Sequence, residues 1–434
     1  MIFAEAGFHP GIKLGAGFSG SMLWLVSTKP RRYDCGMADF AGRLIAPIST
    51  VELERRWSAV RAAMAERGID VLVMQNSNEF SGGYVKWFTD MPAGNGTMTT
   101  VIMPKDDLMT VVAPGPFGVD VNPPANDPVR RGVKRFLASP NFMGASFTTA
   151  LDNANVEKAL EGLSGATIGL VAQGSMGHAL ADHLKRSKLG NATFVDATDL
   201  VDAIMVIKSD EEITAIRATA LLQDRAMRAA FEAIRPGIRD IEITAVAEYC
   251  TRVGGGEYGL LMGASSPIGQ AVMIQPRHLQ NRVIREGDQF VLLVETTGPG
   301  GFFCELGRTC VLGKATQSMK DEFAFAFEAQ QYTAAMLKPG AACADIWNAY
   351  NDFMTKNGRP QENRLYCHGQ GYHLVERPLV RFDEMMPIAA RMNIAVHPMY
   401  HSKDTYTWIC DNFLVDENGA ERLHTFPQEI VELG

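Results

Sequence analysis

Apolar positions recur every three or four residues over residues 49–68, which is the period of an amphipathic helix. Ser49 can cap the free N–H groups of its first turn, and Glu52 completes the sequence signature of a capping box. Gly68 is typical of the residue that ends a helix in the left-handed conformation. The mostly apolar run 69–74 then predicts a buried strand.

Short strand patterns and helical patterns alternate through the rest of the N-terminal half. Strands are predicted at residues 99–103, 108–113, 167–171 and 193–195, and helices at about 156–163 and 178–186. Such alternation predicts an α/β domain.

A long helical pattern at residues 210–234 marks the junction with the second half. Ser209 is placed to cap it, and the acidic residues at 210–212 suit the positive end of a helix dipole. Further helices are predicted at 242–253, 318–337 and 344–357, and strands at 260–263, 289–294 and 309–312. We divide the chain into an N-terminal extension (1–44), an α/β domain (45–205) and an α+β catalytic domain (206–434).

Composition narrows the function by exclusion. The chain has 434 residues, 46% of them apolar, and a net charge of −8, which fits two or three globular domains. The acidic balance argues against a nucleic-acid partner, and no apolar run reaches the roughly 20 residues of a membrane helix. Seven cysteines without a C-x-x-C motif favour a reduced, cytoplasmic protein. The glycine-rich extension lacks a signal-peptide cleavage pattern, and we expect it to pack on a partner subunit.

The most informative segment is a predicted hairpin between residues 291 and 309. Four apolar residues lead into Glu295, a Gly-Pro-Gly-Gly turn follows, and the next strand carries Glu305 and Arg308. This hairpin can bring the two carboxylates together, where they either share a metal or separate their pKa values into an acid and a base. The alternative for Glu305 is a surface salt bridge with Arg308.

Four of the nine histidines fall between residues 368 and 401. His368 and His373 lie in a glycine-rich turn around Gln370, and His397 follows an apolar strand. Histidines at such positions can act as a ligand or a base, although each can also be structural. Cys410 lies in a further predicted hairpin, where the alternative is a small buried filler.

These four segments resemble, in order and spacing, the creatinase/prolidase/aminopeptidase P superfamily, and are closer to its non-peptidase members such as creatinase and ectoine hydrolase. Supporting motifs are I-K-S-D-E-E-I at 207–213, E-G-D at 286–288, H-G-x-G at 368–371 and the stretch 415–419. The resemblance covers about residues 45–430. It implies a pita-bread catalytic domain after a smaller α/β domain, and a homodimer.

The resemblance also bears on metal binding, because peptidases of the superfamily hold two metal ions with two Asp, one His and two Glu. The matching positions here are Glu295, Glu305, His368, His397 and Cys410. Two hard cations need several oxygen ligands, so this set suits them badly and no resident metal is favoured. The alternative is one divalent transition metal (zinc, iron or manganese) held by members of the same set.

We therefore predict a non-peptidase hydrolase that cleaves a C–N bond in a small carboxylated nitrogen compound. Glu295 would act as nucleophile or base, and His368 or His373 would move the proton. His278 is a further candidate acid/base by resemblance to creatinase. The catalytic candidates are Glu295, Glu305, His368, His373, His397 and His278, and the substrate-binding candidates are Arg308, Arg377 and Tyr372.

Three alternatives stay open. The first is a metal-dependent Xaa-Pro-type dipeptidase, and the second is a lyase like dimethylsulfoniopropionate lyase. The third is a catalytically inactive binding homologue. Inactivity is disfavoured because each replaced ligand position still carries a reactive side chain.

Overall fold

The computed structural model describes residues 41–434 apart from residues 188 and 190. Most of the predicted N-terminal extension, with its expected contact to a partner subunit, lies outside the described residues. Across the described part of the chain, no helix combines the length and hydropathy that a membrane span requires.

The first helix begins where the sequence predicts, with the Ser49 hydroxyl accepting a hydrogen bond from the N–H of Glu52. The Glu52 carboxylate does not complete a capping box, because it binds Arg55 and Arg56 instead. Within the described residues the helices are α1 Thr50–Glu66, α2 Gly83–Thr89, α3 Thr149–Ala159, α4 His178–Arg186, α5 Thr198–Met205, α6 Asp210–Ala233, α7 Asp240–Val253, α8 Gln317–Met336 and α9 Cys343–Lys356.

Strands of the N-terminal half form a sheet with the order β4-β5-β3-β2-β1-β6-β7 across the described residues. The strands are β1 Val71–Asn76, β2 Thr99–Pro104, β3 Met109–Pro114, β4 Asp120–Val121, β5 Val133–Ser139, β6 Thr167–Val171 and β7 Thr193–Asp196. Strand β1 pairs in parallel with β6 and in antiparallel with β2, so the sheet is mixed. Helices pack on it, which confirms the predicted α/β class for this half.

The C-terminal half contains two larger sheets, with the orders β18-β10-β9-β8 and β12-β11-β13-β16-β17, and the pair β14-β15. The strands are β8 Gly259–Pro267, β9 Asp288–Thr297, β10 Phe303–Leu312, β11 Cys367–Gly369, β12 Glu376–Leu379, β13 Asn393–Val396, β14 Met399–His401, β15 Tyr406–Trp408, β16 Asp411–Val415, β17 Ala420–Arg422 and β18 Val431–Leu433. A backbone bridge between Gly307 of β10 and Cys410, the residue before β16, joins the two larger sheets.

Three helices differ from the prediction: α3 starts earlier than predicted, and α2 and α5 were not predicted. Helix α3 begins at Thr149, well before the predicted residue 156, because its first turns bury Asp152 and Asn153 rather than apolar residues. Helix α2 is short and buried on nearly all sides, so its sequence shows no amphipathic period.

Buried polar contacts hold the two halves together inside one compact unit, residues 43–434. The guanidinium of Arg56 on α1 donates to Glu212 on α6 at 2.8 Å, and both side chains are inaccessible to solvent. Lys86 on α2 binds Glu257 at 2.8 Å. The Ser209–Glu212 capping box at the start of α6 is present as predicted.

Candidate active site

Glu295 and Glu305 face each other across the β9–β10 hairpin, directly paired in its antiparallel register. The predicted hairpin is therefore confirmed, and both carboxylates are buried. Burial, together with the charge of Glu305, raises the pKa of Glu295 well above its usual range. Burial also raises the pKa of Glu305 to about 7. The pair thus holds a proton on Glu295 under conditions where an exposed glutamate is ionised.

Two histidines approach Glu305 from the neighbouring sheet. His368 is in β11, and His397 directly follows β13, the strand next to β11. Their Nε2 atoms lie 3.8 and 4.0 Å from the same Glu305 Oε2, distances longer than hydrogen bonds. One ligand atom from each of the three residues falls within 4.8 Å of the others.

The orientation of the His368 ring follows from its backbone contact. Its Nδ1 lies 2.9 Å from the carbonyl oxygen of Gly369, which can only accept a hydrogen bond. Nδ1 therefore carries the proton, and Nε2 presents its lone pair to Glu305. Burial lowers the pKa of His368 to about 4, and burial with the charges of His368 and Arg364 lowers the pKa of His397 well below its usual value. Both imidazoles are neutral, as metal ligands must be.

A network of buried amides fixes the position of Glu295. The backbone N–H of Glu305 donates to Asn412 Oδ1 at 2.6 Å, so the amide nitrogen of Asn412 faces Gln370. This leaves Gln370 Nε2 to donate to Glu295 Oε1 at 2.9 Å. Asn393 closes the network by accepting from Asn412 at 3.0 Å. The remaining oxygen of Glu295 is the one that can carry its proton.

Cys410 is buried beside the site without joining the three ligand atoms. Its Sγ lies 3.5 Å from the backbone carbonyl oxygen of Glu305, to which the thiol donates. Burial and the nearby Glu305 charge raise the pKa of Cys410 well above its usual value, which keeps the thiol protonated. Five residues match the metal-ligand positions of the superfamily. Of these five, Glu305, His368 and His397 bring their ligand atoms together in the described part of the chain.

Two of the three predicted substrate-binding residues belong to the core, which corrects the prediction. Arg308 is fully buried, donates to Asp411 at 2.7 Å and to the Pro427 carbonyl, and makes no surface salt bridge with Glu305. Its odd spacing from Glu305 places it on the opposite face of β10. Tyr372 is fully buried and stacks on Phe302 with ring centroids 4.1 Å apart.

Three further candidates, Arg377, His278 and His373, do not belong to the group formed by Glu305, His368 and His397. Arg377 is held by Glu384 and Asp199 in ion pairs of 2.5 and 2.7 Å. His278 is exposed on a short helical turn. His373 packs edge-on against Tyr84 and accepts the N–H of Gly83 at 3.3 Å, where any side chain at position 83 would collide with the imidazole. His373 therefore serves the contact between the two halves.

Sequence reasoning missed the amides Gln370, Asn393 and Asn412. The asparagines in the buried strands β13 and β16 could have indicated such a network, because buried amides need specific hydrogen-bond partners. It also missed Tyr406 and Trp408, which lie on the other side of His397.

Comparison with known proteins agrees with this architecture. Residues 214–417 match the model of metallopeptidase family M24. An uncharacterised hydrolase/peptidase of Sinorhizobium fredii is 26% identical over 398 residues, which cover 87% of this chain and 96% of that protein. An Xaa-Pro dipeptidase of Pyrococcus horikoshii is 26% identical over 282 residues, which cover 63% of this chain and 77% of the dipeptidase.

Solved structures match over most of the chain. The X-Pro aminopeptidase of Thermotoga maritima superposes with a TM-score of 0.71 at 18% identity, covering 87% of this chain and 99% of that structure. This likeness confirms the pita-bread fold predicted from the sequence. The family match, the fold and the hairpin geometry agree: residues 214–417 form an M24 domain, and the chain resembles the hydrolases of the creatinase/prolidase/aminopeptidase P superfamily in sequence and fold.

Proposed function

We propose that the protein hydrolyses a C–N bond in a small carboxylated nitrogen compound, and that Glu305, His368 and His397 hold one divalent transition metal during the reaction. The observation that carries the proposal is the convergence of one carboxylate oxygen and two imidazole nitrogens within 4.8 Å. When Glu305 is ionised, its carboxylate and the Nε2 lone pair of His368 are two acceptors that face each other at 3.8 Å and repel. A cation between them relieves that repulsion.

The donor set decides which metal fits. One carboxylate and two imidazoles suit zinc, iron or manganese, whereas a pair of hard cations needs more oxygen ligands. The geometry thus favours the single-metal alternative over the metal-free reaction that the sequence favours. When bound, such an ion acts as a Lewis acid and lowers the pKa of a water molecule.

The side chains around this group would supply the proton transfers. Glu295 faces Glu305 and is held through one oxygen by Gln370, so its other oxygen can give a proton to the leaving nitrogen. The Gly369 carbonyl holds His368 in the tautomer that directs Nε2 inward. The side chains of the site are all buried, which keeps bulk water from the reacting bond (Glu295, Glu305, His368 and His397).

Metal analysis of protein purified without a chelator tests the proposal. We expect about one equivalent of zinc, iron or manganese in the wild-type protein, and loss of most of it in Glu305→Ala and His368→Ala. Cys410→Ala is the matched control and should keep its metal. Full activity after removal of all metal would support the metal-free reaction instead. Two equivalents of metal per chain would contradict a single-metal site formed by Glu305, His368 and His397.

A substrate panel tests the reaction class. We expect turnover of amidines, ureas or cyclic amides that carry a carboxylate, and its loss in Glu295→Gln. Xaa-Pro dipeptide hydrolysis is the second candidate, because curated relatives are named Xaa-Pro dipeptidases. Preferential turnover of Gly-Pro in the same panel would favour that candidate, and no turnover of any compound would favour an inactive homologue.

A further inference from the structure

A cavity of about 270 Å³ opens where the N-terminal half meets the loop that follows β11. The N-terminal half contributes Tyr84 of α2 and Asp202 of α5 to its lining, and the catalytic half contributes Arg377 and Leu379 of β12. Leu379 pairs with His368 across the β11–β12 ladder, but none of the three residues of the proposed metal group lines the cavity. Its volume lies just below the roughly 300–1,000 Å³ of pockets that hold drug-sized ligands, so it suits a small molecule.

Asp202 presents an unpaired carboxylate oxygen to this cavity. The residue is 6% exposed, and its Oδ1 accepts a hydrogen bond from the hydroxyl of Tyr84 at 2.7 Å. Its Oδ2 accepts no hydrogen bond from any residue that the structure describes, and the 3.9 Å that separate it from Nη1 of Arg377 are too long for one. Oδ2 is not fully enclosed by protein, so it keeps its access to the cavity. An ionised carboxylate accepts through both oxygens, and the missing donor can therefore come from a ligand.

The guanidinium of Arg377 does not supply that donor, because two other carboxylates already hold it. It binds Glu384 through Nε at 3.2 Å and Nη2 at 2.5 Å, and it binds Asp199 through Nη1 at 2.7 Å. One positive charge thus faces three carboxylates, since Asp202 lies 3.9 Å away. The surroundings of Asp202 therefore carry an excess of negative charge, which favours a cation.

The ion pair that Glu376 brings to the cavity wall does not remove this excess. Lys208 binds Glu376 at 2.7 Å with both side chains buried, so these two charges balance each other. Burial raises the pKa of Asp202 to about 6, although the Tyr84 hydroxyl and the charge of Arg377 lower it. Asp202 is therefore ionised at pH 7.5, as a partner for a cation must be.

We infer that this cavity binds a small alkylammonium cation, with an N–H group donating to Oδ2 of Asp202 and the alkyl part packing on Met205, Val375 and Leu379. These three apolar side chains belong to the lining, and Val375, 42% exposed, marks the mouth of the cavity. An ammonium group carries three donors and one positive charge, which are what Asp202 lacks. The inference concerns a binding site beside the catalytic group and does not rest on the proposed hydrolysis.

Nuclear magnetic resonance titration of the purified full-length protein at pH 7.5 tests the site. The probe is n-butylammonium, and n-butanol is its neutral counterpart of similar size. We expect saturable binding of n-butylammonium that Asp202→Asn weakens roughly tenfold, because the variant keeps the shape of the side chain and loses its charge. The wild-type protein should bind n-butanol roughly tenfold more weakly than n-butylammonium. Asp199→Asn is the matched control. It removes the same charge from an exposed position of the same helix and should change binding less than twofold.

The outcomes decide the inference independently of hydrolysis. No saturable binding by the wild type, equal binding by Asp202→Asn, an equal loss in Asp199→Asn, or equal binding of n-butanol overturns it, even if the protein is an active hydrolase. A loss confined to Asp202→Asn supports it, even if no substrate is turned over. Thermal unfolding checks the fold of each variant. If Asp202→Asn does not fold, Val375→Lys carries the test. That variant puts a positive charge at the exposed mouth and should weaken binding roughly tenfold, and unchanged binding would overturn the inference.

Discussion

Gln370 connects the two glutamates of the site through a single amide group. Its nitrogen donates to Glu295, and its oxygen accepts from Asn412, which in turn holds the backbone of Glu305. We expect Gln370→Leu to lower the free energy of unfolding by about 2–3 kcal/mol, since it leaves buried polar groups on both sides without this partner. Urea denaturation measures the change. Gln317→Leu, at an exposed amide, is the control, and an equal effect of both variants would contradict the role.

Gln370 also shows which site residues a local sequence pattern can indicate and which it cannot. Glu295 and His397 were singled out because each titratable side chain follows an apolar run, a pattern that local sequence displays. The role of Gln370 depends on Asn412, 42 residues away, and on a strand register that no local pattern reveals. Arg308 was placed in the site because its distant partner Asp411 could not be read from the hairpin motif.

At the scale of elements, helix α3 carries a buried carboxyl group that ties it to the N-terminal sheet. Asp152, 1% exposed, accepts from Gln75 of β1 at 2.7 Å, and burial raises its pKa to about 7. The folded state therefore binds this proton more tightly than the unfolded state. The stabilisation is present below pH 4 and is lost as the pH rises through 7, by about 3–4 kcal/mol in total.

Asp152→Asn keeps the shape of the protonated group and removes its titration. We expect the variant to be more stable than the wild type at pH 8 and close to it at pH 4.5, in urea denaturation at both values. Asp107→Asn is the contrasting control and should destabilise the protein at pH 8. The ionised Asp107 carboxylate binds Lys134 and the N–H of Leu108, and these contacts lower its pKa. A pH-independent effect of Asp152→Asn would contradict the buried titration.

The elements whose patterns are regular were the ones that sequence could predict. Helices α4 and α6 match their predicted ranges closely, because one face of each is apolar and caps or turns mark their ends. Helix α2 could not be found, since burial on nearly all sides removes the contrast between faces. The β9–β10 hairpin was predicted from its glycine-rich turn, whereas the bridge between Gly307 and Cys410 joins segments that are far apart in sequence.

At the scale of the whole molecule, charged side chains without access to solvent connect the N-terminal sheet to the catalytic half. Arg56 donates to Glu52, to the Trp87 carbonyl and to Glu212, and so links α1, α2 and α6 at one point. His373, in the loop that follows His368, packs on α2 in the same contact region. The loop that carries Gln370 therefore takes part of its support from the N-terminal half, and the geometry of the site depends on both halves.

This dependence predicts that residues 43–434 unfold in one cooperative transition. We expect coincident urea curves from far-ultraviolet circular dichroism and tryptophan emission. Arg56→Met should shift the whole transition, by about 3–5 kcal/mol, because it removes the buried guanidinium that donates to the buried carboxylates of Glu52 and Glu212. Arg55→Met, whose partly exposed guanidinium also binds Glu52, is the control and should shift it far less. Two separate transitions, only one of them moved by Arg56→Met, would show instead that the halves fold independently and that the catalytic half keeps its site without the N-terminal sheet.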